Sequence, residues 1–525
     1  MGVDQLLERS AQRTPDKTAV VCAGTRCSYQ QLDEQANRLA HTLIDAGLQP
    51  GDRVAICLES SLNAVVAIFA VLKAGGVFVV INPQTATQQL THVLADSGAI
   101  ALIARGEQID SLRTMWPRLT RLTTVFVAGP HQAPFVPGGT RSASLQDALV
   151  APGPPAVPPE KRHGDTDLAA LVYTSGSTGG PKGVMLSHGN MMAAAAAICA
   201  YLENTPDDVI LNVLPLAFTY GLGQITTAFR AGATVVLERS FAYPRAVIDT
   251  MLREHVTGFP LVPTIATLLL QQDLHEHRFR DLRYMTSAAA ALSTSKIQRL
   301  RAAFPGVKLY SMYGLTECQR VSYLPPDQID GHPTSVGIAI PGSEAFVVNE
   351  HGQRAAPGTV GELVVSGPHV MRGYWNQPEA TARVLRPGSA PGETWLYSGD
   401  LFKVDETGFL YFVSRKDDII KTRGEKVAPR QVEEVISRLP GVAEVAVYGI
   451  PDEVLGEAVA AVVTLTQGTS LTGARIQRYC LEHLDAFMVP KIVDVRDALP
   501  TTMTGKVSRR ALKAGTAARP EEACA

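Results

Sequence analysis

Apolar and polar positions along the first part of the chain follow two periods in turn. From Tyr29, the stretch YQQLDEQANRLAHTLIDAGL spaces its apolar residues three and four apart and stops at Gly47, which predicts a helix with a glycine terminator. DRVAICLE comes next as a short apolar strand. The most hydrophobic window, LNAVVAIFAVLKAGGVFVVIN from Leu62 to Asn82, is broken by Lys73 and the Gly75-Gly76 pair into halves too short to cross a bilayer. It predicts a buried helix, a turn and a buried strand, with no membrane span. Repetition of this order favours a parallel sheet flanked by helices.

Between Ala128 and Asp167 the chain turns rich in proline and glycine, which predicts a loop region. A second series follows, with strands at DVILNVLPL and ATVVLE and a helix around SKIQRLRAAF. Further on, GELVVSGPHVMRGYW and ETWLYSGDLFKVDETGFLYFVSR read as short antiparallel strands. After the tetrad Arg415-Lys416-Asp417-Asp418, a helix and two strands form a small α+β unit, QVEEVISRLPGVAEVAVYGIPD and EAVAAVVTLT. The expected division is 1–415 and 416–525.

Composition narrows the class. With 46% hydrophobic and 19% charged residues, the chain is of soluble globular type. A formal net charge of -2 points to neither nucleic acid nor an anionic membrane. Seven cysteines, scattered without a CxxC pair, predict reduced thiols and no structural zinc. The charged N-terminus lacks the apolar run of a signal peptide, so a cytoplasmic location is expected.

The chemistry begins at LVYTSGSTGGPKGVMLSHGN, Leu171 to Asn190. Phosphate oxygens need donors that approach closely. Glycine lets backbone N–H groups face an anion, hydroxyls add donors, and Lys182 adds a cation. The loop follows an apolar strand and is expected to precede a helix, a setting suited to phosphate. It is not a Walker A loop, because Pro181 precedes Lys182 and Gly183 stands where Ser or Thr belongs. A Gly/Ser-rich stretch without context is more often a flexible surface loop; the strand before it and Lys182 favour a nucleotide-phosphate site instead. In YSMYGLTECQ, Thr316 and Glu317 follow a tight turn at Gly314; a hydroxyl beside a carboxylate suits a phosphate oxygen and Mg2+, though alone such a pair is an ordinary cap or surface feature. YSGDLF sets Asp400 after a Ser-Gly turn, and LPTTMTGKVSRRAL sets Lys506 after Gly505. Each of these alone is unremarkable.

In this order, YTSGSTGGPKGVMLSH, YGLTE, YSGD, GFLYFVSRKDDIIKTRGEKVAPRQVEEVI and PTTMTGKVSRR resemble the adenylate-forming superfamily of acyl-CoA synthetases, aryl-CoA ligases, luciferases and adenylation domains. The resemblance spans Leu6 to Lys513. It implies a fold with a large N-terminal part of parallel-sheet βα layers, a smaller β-barrel-like part, and a small mobile C-terminal α+β domain. By resemblance, Thr174, Ser175, Gly176, Ser177, Thr178, Gly179 and Lys182 hold the β- and γ-phosphates of ATP. Thr316 meets the α-phosphate, Glu317 holds Mg2+, and Asp400 and Arg415 bind the ribose. Ala288, Ala289, Tyr313 and Gly314 border the nucleotide. Phe218, Thr219, Gly221, Ala289 and Gly314 border the acid. Lys506 is the catalytic cation, Asp417 the hinge, and Lys421, Gly424 and Glu425 lie on the pantetheine side.

The implied reaction joins a carboxylic acid, fatty or aryl, to AMP, releases pyrophosphate, and transfers the acyl group to the thiol of CoA; the alternative acceptor is the phosphopantetheine of a separate carrier protein. Thr219 stands where amino-acid-activating relatives carry an aspartate; an unpaired buried ammonium costs several kcal/mol, so α-amino acids are disfavoured. Ala288 and Ala291 replace the glycine and proline of the usual SGAAPL, which narrows the channel and favours a short, medium or flat acid. No carrier motif follows Lys513, so the thiol is expected from free CoA or a separate carrier protein. The chain is expected to be a monomer or homodimer. A luciferase-like oxygenase needs a rare partner molecule. A non-catalytic relative would have lost Lys506, Glu317 or Asp400, and a P-loop ATPase lacks its spacing.

Overall fold

The computed structural model describes residues 1–129, 134, 136–150, 156–174, 181–274, 279–466, 468–500, 507–509 and 511–513. The helix predicted after Cys27 runs Tyr29–Asp45, with Ser28 and Gln31 capping each other's backbone N–H groups. Leu62–Lys73 is a helix and Val77–Val80 a strand, both buried as expected. No helix among the described residues is long and apolar enough to cross a membrane.

Two large sheets form the body. In the nine-stranded sheet, the central strands Val209–Asn212, Gly258–Leu261, Tyr284–Ser287 and Lys308–Tyr313 run parallel. In the eight-stranded sheet, Arg53–Cys57, Val77–Val80 and Leu168–Thr174 do the same. A five-stranded antiparallel sheet follows, containing Gly361–Ser366, Thr394–Val404 and Leu410–Arg415, where a barrel-like part was expected. The turn Lys416–Asp418 leads from it to Ile420–Thr422 in a fourth sheet, whose long pair is Val442–Asp452 with Gly456–Leu465. Helices Pro429–Ser437 and Gly473–His483 accompany that sheet.

Three expectations change. The region after Ala128 is not all loop, for it holds a strand, Arg141–Ser144, and a helix, Leu145–Val150. Alternation in RSASLQDALV was obscured by the flanking prolines. Gly373–Tyr374, read with the antiparallel strands, instead pairs with Lys182–Ser187 on the edge of the eight-stranded sheet. Asp400 lies within Thr394–Val404, since Gly399 at φ +71° kinks that strand without ending it.

Lys73, the residue that interrupted the apolar window, is a buried clamp. Its ammonium lies 2.8 Å from Glu8 and 2.9 Å from Asp33, tying together the helices Asp4–Arg13, Tyr29–Asp45 and Leu62–Lys73. Lys73→Ala leaves two carboxylates facing each other, and we expect a loss of about 3 kcal/mol of stability by urea denaturation. Lys73→Met, which keeps the volume, should not rescue it while both acids remain.

Folding also brings together Asp4, His163 and His188, although no metal-ligand spacing is visible in the sequence. The two imidazole rings stack in parallel 3.9 Å apart, so their in-plane lone pairs do not converge on one ion. Val3 N–H donates to His188 Nδ1. Burial, and then the neighbouring His163, push the His188 imidazole down to about 3; burial pushes His369 down to about 4. Both stay neutral in the folded protein but take up a proton near pH 6.5 when unfolded. Their folded values lie below the unfolded one, so this stability is complete above pH 6.5 and lost as the pH falls towards 4 and 3. From pH 7 to pH 5 each histidine should cost about 2 kcal/mol. Urea midpoints measured across that range check this, with His188→Gln removing about half of the slope.

Candidate active site

Ligands in doubly wound sheets sit beyond the carboxyl ends of the strands. Several of the sequence-predicted residues lie there. Thr174 ends Leu168–Thr174, Ala288 and Ala289 follow Tyr284–Ser287, and Tyr313 ends Lys308–Tyr313 just before Gly314 and Thr316. Phe218 and Thr219 open the helix Thr219–Ala231 after Val209–Asn212.

The glycine-hydroxyl loop does not run into a helix as expected. Thr174 pairs with Lys182 across an antiparallel ladder, so the loop joins two strands, and the helix starts only at His188. β-branched and apolar residues in KGVMLS support a strand there. Ser175, Gly176, Ser177, Thr178 and Gly179 lie outside the described residues. Lys182 Nζ stands 5.1 Å from the centroid of the Tyr374 ring. Tyr374 Oη in turn donates to Glu317 Oε1 at 2.7 Å. One chain of contacts therefore links Lys182 to Glu317. Burial and the Glu317 carboxylate push the Tyr374 phenol well above its ordinary range, which keeps it a donor. Glu317 is half-buried, and its backbone carbonyl accepts from Met371 N–H at 2.7 Å.

A second cluster forms around Asp400, which is 3% exposed. Asp400 and Arg415 are cross-strand neighbours, with Arg415 Nε 3.1 Å from Asp400 Oδ1. Tyr313 Oη donates to Asp400 Oδ2. The aspartate therefore has one edge on a cation and the other on a phenol. Burial and then the Asp400 charge raise the Tyr313 phenol far above its usual value.

Gly314 is required by the turn, since a Cβ there would lie 2.5 Å from the Gln319 carbonyl. Gly221 has a packing reason too, with a Cβ falling 2.4 Å from the Pro215 carbonyl. Ala289 takes φ +74°, a left-handed conformation that an alanine holds at a cost of about 1 kcal/mol. Phe218 and Thr219 are half-buried. In the fourth sheet, Arg423 and Gly424 make a hairpin turn with φ +53° and +81° between Lys421 and Glu425; around Gly424 there is open space. Asp417 lies in the Lys416–Asp418 turn. Lys506 is outside the described residues, while its neighbour Val507 packs with Tyr448 and Ala460 on the fourth sheet.

Sequence reasoning missed Tyr374, which was only part of an apolar strand. It also missed Tyr220, whose hydroxyl bonds to Thr286 at 2.8 Å, and Arg320, placed against Tyr220. No local pattern marks any of them.

The sequence profile of AMP-binding enzymes matches residues 7–375, and that of the AMP-binding enzyme C-terminal domain matches 431–506. The chain belongs to the AMP-binding enzyme family. Among its relatives, the long-chain-fatty-acid–CoA ligase of Bacillus subtilis is 31% identical, over 97% of this chain and 94% of that protein. A feruloyl-CoA synthase from an Amycolatopsis species is 34% identical, over 95% and 96% respectively. The crystal structure of ATP-bound MatB from Rhodopseudomonas palustris superposes with a TM-score of 0.88 at 32% identity, covering 98% of this chain and 99% of that one. The layered α/β body and separate C-terminal sheet are those of this AMP-binding family. Its C-terminal profile ends on Lys506.

Proposed function

We propose that this chain activates a carboxylic acid with ATP and passes the acyl group to the thiol of CoA. It is an acid–thiol ligase of the AMP-forming kind. The observation that carries the reading is the meeting of two clusters, Lys182–Tyr374–Glu317 and Arg415–Asp400–Tyr313: the Glu317 charge acts on Arg415, and Tyr313 ends a parallel strand.

In the first half-reaction a carboxylate oxygen attacks the α-phosphorus of ATP; the bond to the bridging oxygen breaks and pyrophosphate leaves. Phosphoryl transfer of this kind depends on positioning and charge more than on acid–base chemistry. Thr174 and Lys182, with the loop between them, cradle the leaving phosphates, while Thr316 donates to the α-phosphate. Asp400, already oriented by Arg415 and Tyr313, accepts from the ribose hydroxyls. Lys506 holds the incoming carboxylate against the α-phosphate. Glu317 fits Mg2+: it is a hard donor with one oxygen committed to Tyr374 and no ion pair of its own among the described residues. A bound Mg2+ supplies neutralisation of phosphate charge there. In the second half-reaction the thiol sulfur attacks the acyl carbon, its proton is lost to solvent, and AMP leaves.

The boundary at 415/416 falls between the two profile matches, at the Lys416–Asp418 turn. A swing about Asp417 exchanges Lys506 for the Lys421–Glu425 hairpin, whose open Gly424 suits the approach of a pantetheine arm. A separate carrier protein offering the same arm is the second acceptor to test.

Acid-dependent exchange of radioactive pyrophosphate into ATP, screened over aliphatic, aromatic and amino acids, tests the reading. Exchange with some acids but not α-amino acids is expected. A complete absence of exchange overturns it.

A further inference from the structure

Among the described residues, one buried cation has no acid beside it. Arg320 is 4% exposed, and its Nε is buried without a hydrogen-bond partner. Other buried or half-buried cations have carboxylates beside them: Lys73 has Glu8 and Asp33, Arg283 has Asp208, and Arg509 has Asp418 and Glu433. Among the described residues Arg320 is in no ion pair. Among those residues its guanidinium meets the Tyr220 ring, 5.1 Å from the guanidinium carbon to the centroid. A single aromatic face returns only part of the cost of taking a guanidinium out of water.

Its position adds the meaning. Tyr220 lies between Thr219 and Gly221, and its hydroxyl is held by Thr286, two residues before Ala288. On the other side, a Cβ on Gly314 would come within 3.2 Å of Arg320 Cα. Arg320 therefore stands where the three segments expected to border the acid meet: the start of the Thr219–Ala231 helix, the end of the Tyr284–Ser287 strand, and the Gly314 turn. Lys182, also in no ion pair among the described residues, stands over a tyrosine face in the same region, and it serves phosphates that arrive with ATP. Arg320 is likewise a site made for an anion brought in from outside. Its planar fork matches a carboxylate.

We propose that Arg320 pairs with a second carboxylate on the acid substrate, so that the enzyme activates one carboxyl of a dicarboxylic acid while the other is held by the guanidinium. This rests on the reading that the chain activates acids, and it names the class of acid. Chemistry constrains the consequence: one carboxyl becomes the thioester and the other leaves on the product as a free carboxylate.

Matched pairs separate this inference from its foundation. Pyrophosphate exchange is measured with succinate against butyrate, adipate against hexanoate, suberate against octanoate, and terephthalate against benzoate. For at least one pair, the diacid should exceed its monoacid in kcat/KM by roughly 100-fold, the discrimination a site built around a polar contact can reach. Arg320→Met should cut the diacid by a similar factor and the monoacid far less, and Arg320→Lys should retain part of the preference. Should Arg320→Met fail to fold, the wild-type panel and Arg320→Lys still decide. Exchange that treats the members of every pair alike, or favours monoacids, overturns the inference and leaves the activation of acids standing. Equal losses for both members in Arg320→Met overturn it too, because they assign the cation to the nucleotide. Absence of exchange with any acid removes the foundation and the inference together.

Discussion

Lys506→Ala is expected to reduce acid-dependent pyrophosphate exchange by at least roughly 10³-fold, the scale of losing a charged group that stabilises transition-state oxygens. The carboxylate and the α-phosphate carry like charges, and bringing them together needs a cation between them. Lys182 pairs with Thr174 across the hairpin, and the role proposed for it is at the far phosphates. Val507, next to Lys506 in sequence, packs on the fourth sheet, and the swing proposed here moves the lysine with that sheet. On the proposed swing, the substitution should spare thioester formation from presynthesised acyl-AMP. Stopped assays on each half-reaction decide the matter. Equal damage to both would refute the swing and the role together.

Glu317→Gln is the companion experiment. Glutamine keeps an oxygen to accept from Tyr374 but removes the charge, so local structure should persist. We expect the Mg2+ concentration for half-maximal exchange to rise at least roughly tenfold and kcat to fall about 100-fold. Tyr374→Phe retains the ring under Lys182 and removes only the hydroxyl, and should produce a smaller change in the same direction. A Glu317→Gln enzyme that titrates with Mg2+ as the wild type does would sink the assignment.

Much of the molecule was legible before folding. The helix at Tyr29–Asp45 and the Leu62–Val80 helix and strand were readable because each satisfies its backbone within a short stretch and shows its buried face as a period. The Gly314 turn was readable because no Cβ fits against the Gln319 carbonyl. The strand Lys182–Ser187 was not: KGVMLS is too short to distinguish from the start of the following helix, and only pairing with Leu168–Thr174 makes it a strand. Likewise the prolines around Arg141–Ser144 hid an edge strand whose register comes from its neighbour.

The division has a physical basis. Family, order of phosphate and ribose motifs, and the candidate cation Lys506 are written in contiguous residues, because turns and anion-binding loops are local demands on backbone geometry. Which side chains share an environment is a non-local matter. Tyr374 reaches Glu317 across 57 residues because Gly373–Tyr374 joins the edge beside Lys182. Asp400 meets Arg415 because two strands run antiparallel in one register. Arg320 shows as a buried charge without an ion pair among the described residues only once the chain has folded, since a lone arginine in a sequence carries no sign of what it lacks.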